Sequence, residues 1–310
     1  MRKTVLVGTR ASKLARWQSQ WVINQLQGYY SDYRFQMVEI QTRGDMDRLR
    51  PFQDIWEEGI FTKEIEEALE EEKIDMAVHS MRDLPYELSP DLTIAAVAGR
   101  SDPSDVLVSK GNSALFNLPQ GAAVGTSSLL RRAQLMRFRQ DLNIIECLGN
   151  IPTRLKKIDG GKLDAIVLSA TGLERLGLED RITEYLPYSL CMPAAGQGAV
   201  GVEIRRGNKE VQDMVERIHN PMAAAAVTAE RSVVKRLGGH HGLPIGALAR
   251  LKGKRLQLEA VVLSPGGSQS VRGYGTGLIS DADNLGIMVA ERLLMRGARN
   301  LLQKEGVTVN

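Results

Sequence analysis

The residues best suited to chemistry lie in one short segment, residues 77–85. Arg82 and Asp83 follow an apolar run, residues 76–78, which has the pattern of a buried strand end. A loop is expected next, because Pro85 cannot continue a regular element, and loops at strand ends carry side chains into clefts. A carboxylate beside a cation is either a plain salt bridge or a charge held ready for chemistry, and this segment alone leaves both readings open.

Three further segments share the layout of an anion site, in which a strand leads through a Ser- or Thr-containing turn into a helix with an arginine nearby. They are residues 9–12, 125–132 and 149–154. Backbone N–H groups at a helix start and guanidinium forks both bind carboxylates and phosphates. The repeated layout predicts a polycarboxylate or phosphate ligand. The alternative for residues 125–132 is a helix N-cap followed by a solvated basic face, and residues 149–154 have the same layout. The candidate side chains of these segments are Arg10, Ser12, Thr126, Ser127, Ser128, Arg131 and Arg154. Arg82 of the segment 77–85 is a further candidate for binding the same ligand.

Two other polar segments are weaker candidates. His240 and His241 are adjacent, without a neighbouring Cys, Asp or Glu, so a helix end and loop are favoured and no metal site is predicted. Glu58 lies in a stretch that reads as a solvated loop.

The bulk composition excludes several classes of protein. The 310 residues are 43% hydrophobic and 25% charged, which is typical of a globular chain of two or three domains. A net charge of +3 is too small to indicate nucleic-acid binding. Two cysteines without metal or disulfide spacing favour a reducing, cytoplasmic environment. No signal peptide and no membrane-spanning stretch are predicted.

The order of apolar and amphipathic segments predicts three domains. Strands and helices alternate through the first two, a pattern typical of mostly parallel α/β sheets. Domain 1 is predicted at residues 1–99 plus 198–219, domain 2 at 100–197, and a small α+β domain 3 at 220–310. Clefts between α/β domains are common ligand sites and close by hinge motion.

Together these motifs make the chain resemble the porphobilinogen deaminase (hydroxymethylbilane synthase) family over nearly its whole length. The motifs that carry the resemblance are residues 42–45, 59–64, 77–85, 125–131, 149–155, 193–198 and 237–246. The resemblance implies two hinged, periplasmic-binding-protein-like (type II) α/β domains and a small C-terminal α+β domain. It also implies a transferase of tetrapyrrole biosynthesis that condenses porphobilinogen units and releases ammonia.

The resemblance also implies roles for individual residues. Asp83 matches the catalytic aspartate of the family, which stabilises a cationic azafulvene and handles pyrrole N–H protons. The family positions that hold cofactor or substrate carboxylates are matched by Arg10, Ser12, Ser127, Ser128, Arg131 and Arg154. Arg82 stands where the family usually has a lysine, which keeps the charge but changes its geometry.

Four family positions are altered. The cysteine that anchors the family's dipyrromethane cofactor is His241, and an imidazole does not replace a stable thioether. Two family arginines are Leu130 and Leu148, unless a shift of helix register brings Arg132 into the place of the first, and the lysine of a glycine-rich loop is Glu58. All four changes remove groups that serve an anionic covalent primer, so no covalent cofactor is expected.

Two hypotheses about function remain open from the sequence. The first is a deaminase-like enzyme of pyrrole chemistry, in altered form. The second is a non-catalytic protein that binds a pyrrole, a tetrapyrrole or another polycarboxylate on the same fold. A transcriptional effector is disfavoured, because there is no helix-turn-helix segment or basic face. In both hypotheses the partner is a small-molecule carboxylate ligand, with no nucleic acid and no membrane, and the protein is a monomer.

Overall fold

The computed structural model of the chain describes residues 3–46, 59–239 and 242–303. These residues form two compact units. Unit 1 comprises residues 1–101 and 198–224, and unit 2 comprises residues 102–197 and 225–310. The predicted second and third domains therefore fall within one unit, and the predicted boundary between them stays a prediction.

The elements are numbered in chain order. The strands are β1 (Lys3–Arg10), β2 (Tyr33–Ile40), β3 (Met76–Ser80), β4 (Leu92–Arg100), β5 (Asp105–Ser109), β6 (Ala123–Gly125), β7 (Asn143–Ile145), β8 (Ala165–Ser169), β9 (Glu184–Tyr185), β10 (Ala199–Arg205), β11 (Ile245–Lys252), β12 (Arg255–Leu263) and β13 (Ser270–Leu278). The helices are α1 (Lys13–Tyr29), α2 (Arg43–Met46), α3 (Lys63–Glu70), α4 (Leu129–Phe138), α5 (Ile151–Asp159), α6 (Ala170–Glu174), α7 (Lys209–Glu216), α8 (Pro221–Arg236), α9 (Ala282–Met295) and α10 (Ala298–Gln303).

Unit 1 is built on a five-stranded sheet with the order β2-β1-β3-β10-β4. Strand β1 runs parallel to β2 and β3, whereas β10 runs antiparallel to β3 and β4. Helix α1 covers one face with Val22 and Leu26, and α3 covers the other with Ile65 and Leu69. Burial on both faces explains why the central strands are apolar along most of their length.

Unit 2 contains two sheets. The first has the order β7-β6-β8-β5-β9, with β6 parallel to β7 and β8 and with β5 antiparallel to β8 and β9. Its central strand, β8, has a parallel neighbour on one side and an antiparallel neighbour on the other, as β3 has in unit 1. The second sheet, β11-β12-β13, is antiparallel and packs against α9. The predicted class, two α/β sheets and a small C-terminal α+β part, is confirmed.

The expectation of mostly parallel sheets needs a correction, because both five-stranded sheets are mixed. Strands β10 and β5 each pair antiparallel with a strand that is distant in the chain, and such pairing leaves no local pattern in the sequence. The elements that were not predicted include β4, α7 and β13. In β13, Gly273, Gly275 and Gly277 replace the apolar alternation of a typical strand, because the side chains of α9 fill the space above them.

None of the helices in the described ranges is long and apolar enough to cross a membrane.

Candidate active site

The parallel pairing of β1 and β3 brings the first two candidate segments together at one edge of the sheet. Gly8 lies opposite Ala77 in this pairing. Arg10, at the end of β1, therefore leaves the sheet beside Ser80, at the end of β3. The carboxyl ends of neighbouring strands are a common place for ligand sites in α/β sheets.

A tight turn after β3 holds Asp83. The Asp83 N–H donates to the Ser80 carbonyl at 2.9 Å, and the Met81 N–H donates to the Ala199 carbonyl at 3.0 Å. The Met81 side chain is buried against Gly201 of β10, where a Cβ atom would collide with its Sδ atom. The buried residues on either side of the turn fix the position of the carboxylate between them.

Asp83 forms ion pairs and also lines a pocket. Arg82 Nε donates to Asp83 Oδ1 at 3.2 Å, and Arg10 Nη1 lies 3.7 Å from Asp83 Oδ2. The Asp83 side chain keeps 26% of its surface exposed. The two readings of this residue, a salt bridge and an accessible charge, are therefore compatible.

Arg10 is held mainly by Asp45. Its Nη2 and Nε atoms donate to the two carboxylate oxygens of Asp45 at 2.6 and 3.1 Å. Thr42 Oγ1 donates to Asp45 Oδ2 at 2.9 Å, and the guanidinium lies over the Phe61 ring at 4.1 Å from its centroid. Asp45 and Phe61 belong to motifs that carried the family resemblance, but their local spacing did not indicate contact with Arg10.

The pocket lies entirely within unit 1. It is partly open to solvent, and its volume of about 370 Å³ includes the open part. Ser12 lines it and also caps α1, since its Oγ accepts from the Ala15 N–H at 3.2 Å. The lining residues are Arg10, Ser12, Leu14, Ala15, Gln18, Phe61, Thr62, Val78, His79, Ser80 and Asp83.

The candidates of unit 2 lie at the matching edge of its first sheet. Gly125 at the end of β6 pairs with Ile145 and Ile166 of the parallel neighbours. The turns that start α4 and α5 therefore leave the same edge. Thr126 is buried, and its Oγ1 accepts from the Ser128 N–H at 3.2 Å, while Ser127 is half-buried.

The capping alternative is observed at both of these turns. Ser128 Oγ accepts from the Arg131 N–H at 3.3 Å, and Asn150 Oδ1 accepts from the Thr153 N–H at 3.0 Å. Arg154 folds back so that its Nε donates to the Gly149 carbonyl at 2.6 Å. These contacts orient the turns and do not exclude a ligand.

Arg131 takes part in a buried network. Its Nη2 atom donates to Asp105 Oδ1 at 2.6 Å and to Gln197 Oε1 at 3.3 Å. The exposed fractions of the Arg131 and Asp105 side chains are 8% and 1%. Arg131 therefore does not lie on a solvated basic face, as the capping alternative implied.

The altered position Leu130 belongs to an apolar cluster of unit 2. It is buried with Met192, Leu248 and Val261, the last two of which come from the small antiparallel sheet. Helix α4 is regular from Leu129 onward and Arg132 is exposed, so no shift of register replaces the lost arginine. Leu148 is half-buried. Glu58 and His241 lie outside the described residues.

Arg175 is a candidate that sequence reasoning missed. It follows α6 at the same sheet edge and is 9% exposed. Burial lowers the pKa of Arg175 to about 10. A buried arginine at the end of a strand-turn-helix segment resembles the other candidates, but a single arginine in an amphipathic stretch gives no signal of burial.

The two cysteines are poor nucleophiles. Cys147 and Cys191 are both fully buried. Burial, and next the charge of Asp105, raises the pKa of the Cys191 thiol well above its usual value. Neither thiol is placed to carry a bulky pyrrole substituent.

Comparisons with known protein families identify the family of this chain. Residues 5–213 match the family described as porphobilinogen deaminase, dipyromethane cofactor binding domain, and residues 224–295 match its C-terminal domain. The chain belongs to the porphobilinogen deaminase family. The predicted family, and with it the leaning towards an enzyme, is confirmed at this level.

Relatives of this family resemble the chain over its whole length. Porphobilinogen deaminase of Pelotomaculum thermopropionicum is 45% identical, with 98% of this chain and 97% of the relative covered. That of Desulforudis audaxviator is 46% identical, with 98% of both chains covered. Among solved structures, the methionine-binding protein MetQ is similar at 15% identity and a TM-score of 0.46, over 72% of this chain and 94% of that one.

Proposed function

We propose that this protein is a pyrrole-condensing transferase that acts on porphobilinogen and releases ammonia. The observation that carries the proposal is the placement of Asp83 at a partly open pocket, between Arg10 and Arg82. The names of its full-length relatives support the same reaction class.

Asp83 suits the charge that this reaction creates. When the carbon–nitrogen bond of porphobilinogen breaks, ammonia leaves and the pyrrole becomes a cationic azafulvene. A fixed carboxylate close to that cation stabilises it and the transition state that leads to it. The substrate also carries acetate and propionate groups, so we assign Arg10, Ser12 and Arg82 to binding its carboxylates.

In unit 2 we assign the same kind of role to Thr126, Ser127, Ser128 and Arg154. The turns place their polar groups at helix starts, where the helix dipole favours an anion. For Arg131 we propose an indirect role, because its guanidinium binds Asp105 and Gln197.

We also propose that the chain does not carry a covalent dipyrromethane. The family's anchoring position is His241, and the two cysteines of the chain are both buried. A thioether would require exposure of a thiol that belongs to the core. The residues of this chain therefore do not fit a covalently anchored primer, and a non-covalent pyrrole carboxylate is the ligand that we propose.

The altered anchoring position also favours a second candidate, a non-catalytic protein that binds pyrroles or tetrapyrroles. Leu130 replaces a family arginine and lies in an apolar cluster, which reduces the positive charge available to an anionic chain. Binding without turnover distinguishes this candidate from the transferase. A cytoplasmic location and a monomeric state stay predictions under both candidates.

One experiment separates these possibilities. The purified protein and its Asp83→Asn variant are incubated with porphobilinogen, and ammonia, pyrrole products and intact mass are recorded. The transferase predicts ammonia and pyrrole oligomers from the unsubstituted protein, a rate at least about 100-fold lower for the variant, and an unmodified protein mass. Saturable binding without ammonia supports the binding protein instead. A mass increase of two pyrrole units contradicts the proposed absence of a covalent primer, and His241→Cys is the matched variant in which such an increase is expected.

A further inference from the structure

His79 and Glu203 form a buried acid–base pair at the centre of the unit 1 sheet. They lie on neighbouring strands, since His79 of β3 pairs with Gly201 and Glu203 of β10 pairs with Ala77. The Nε2 atom of His79 lies 3.0 Å from Glu203 Oε2, and the exposed fractions of the two side chains are 3% and 0%.

Glu203 depends on this histidine for compensation of its charge. Among the described residues, neither oxygen of Glu203 receives a well-aligned hydrogen bond, and His79 is the basic side chain within ion-pair distance. Burial of a carboxylate without donors is unfavourable unless a cation or a proton accompanies it.

Other polar side chains lie near the pair or share the pocket with His79. Glu66 of α3 lies nearby, and its pKa is raised mainly by burial, with a smaller contribution from the charge of Glu203. Thr62 and Gln18 are uncharged. Arg10 and Asp83 share the pocket with His79, but Asp83 is already bound by two arginines.

His79 also lines the pocket, so the buried pair lies next to the ligand space. An imidazole oriented by a carboxylate through one nitrogen, with the rest of the ring at a ligand site, is the arrangement of a general base. Asp83 lines the same pocket but has a different environment, because it forms ion pairs with Arg10 and Arg82.

We propose that His79 is a second catalytic residue of the pocket, which accepts the proton lost from the pyrrole ring carbon, and that Glu203 is its positioning residue. This inference rests on the proposed transferase function. Asp83 stabilises the azafulvene cation, and His79 completes the condensation.

The step balances without any further reactant. A ring carbon of one pyrrole attacks the methylene carbon of the azafulvene, and a carbon–carbon bond forms. The attacking carbon then carries both a hydrogen and the new bond. Loss of that hydrogen as a proton restores the aromatic ring, and the electron pair of the C–H bond returns to it. The proton passes to the imidazole, the imidazolium pairs with the Glu203 carboxylate, and the proton is released to solvent before the next condensation.

The test compares His79→Gln, Glu203→Gln and Glu67→Gln with the unsubstituted protein. Glu67 is an exposed carboxylate of α3 and serves as the matched control. Each protein receives porphobilinogen with hydrogen or deuterium at the unsubstituted ring carbon, and the rate of product formation is measured across a pH series. Thermal unfolding confirms that each variant is folded.

We expect His79→Gln to lower kcat by about 100-fold and Glu203→Gln by at least tenfold, with little change in KM. In both variants loss of the ring proton becomes slow, so the deuterium isotope effect on kcat rises. The Glu67→Gln variant behaves as the unsubstituted protein.

Normal kcat in folded Glu203→Gln, or an isotope effect that stays the same in both variants, overturns the role of His79 while leaving the transferase function intact. No turnover by the unsubstituted protein counts against the proposed function itself. A second measurement uses the unsubstituted protein and therefore does not depend on the folding of a variant. Imidazole nitrogen NMR is expected to show a proton on Nε2 of His79, and a neutral ring with the proton on Nδ1 overturns the pairing.

Discussion

Arg10 and Asp45 form a two-point ion pair, with Nη2 at 2.6 Å from Oδ1 and Nε at 3.1 Å from Oδ2. The third nitrogen, Nη1, faces Asp83 at 3.7 Å. Asp45 thus determines the direction in which Arg10 points. Arg10 in turn helps to place Asp83, whose carboxylate we propose stabilises the azafulvene cation. Any ligand carboxylate that binds Arg10 has to share it with these two acids.

Replacement of Asp45 with Asn is expected to lower kcat by roughly tenfold to 100-fold, because a displaced guanidinium no longer holds Asp83 in place. Steady-state kinetics with porphobilinogen measures the effect. Asp32→Asn, at an exposed turn, is the control and is expected to have no effect. A variant with normal kcat and only a changed KM contradicts this positioning role.

The buried pair Arg131–Asp105 is expected to contribute strongly to stability. Arg131→Met leaves the Asp105 carboxylate buried without its cation, and the free energy of unfolding is expected to fall by about 3–5 kcal/mol. Arg132→Met changes an exposed neighbour on the same helix and is expected to alter it by less than about 0.5 kcal/mol. Urea unfolding of both variants measures the difference, and equal effects refute the assignment.

Both cysteines are expected to resist alkylation in the folded protein. Burial removes Cys147 and Cys191 from solvent, and the raised pKa of Cys191 keeps its thiol protonated at pH 8. Iodoacetamide labelling followed by intact mass spectrometry is expected to show no adduct without urea and two adducts in urea. Rapid labelling of the folded protein is the contrary result.

Glu66 provides a prediction about pH. Burial raises its pKa above the value of 4.5 that applies in the unfolded chain. The folded state therefore holds this proton more tightly, and the contribution of Glu66 to stability falls as the pH rises above about 4.5. The side chain of Glu66→Gln cannot lose a proton. The stability of this variant relative to the unsubstituted protein is therefore expected to be higher at pH 7 than at pH 4.

Thermal unfolding at both pH values tests this expectation. Glu67→Gln, on the exposed side of the same helix, is the control and is expected to show no such difference. A Glu66→Gln variant whose relative stability is the same at pH 4 and pH 7 contradicts the assigned direction.

Local patterns in the amino-acid sequence were enough to predict most strands and the turns that follow them, and to select Asp83 as a candidate. Apolar runs, helix caps and prolines act over a few residues, so their consequences are readable without the fold. The caps at Ser12, Ser128 and Asn150 follow from the same local chemistry.

The partners of the charged side chains required the folded chain. Asp45 on Arg10, Asp105 on Arg131 and Glu203 behind His79 are 26 to 124 residues away from the groups that they bind. Leu130 likewise became a core residue only through its contact with the small antiparallel sheet. Such contacts arise when strands from distant parts of the chain pair, and the energy of an ion pair depends on the burial that this pairing creates, which no local pattern encodes.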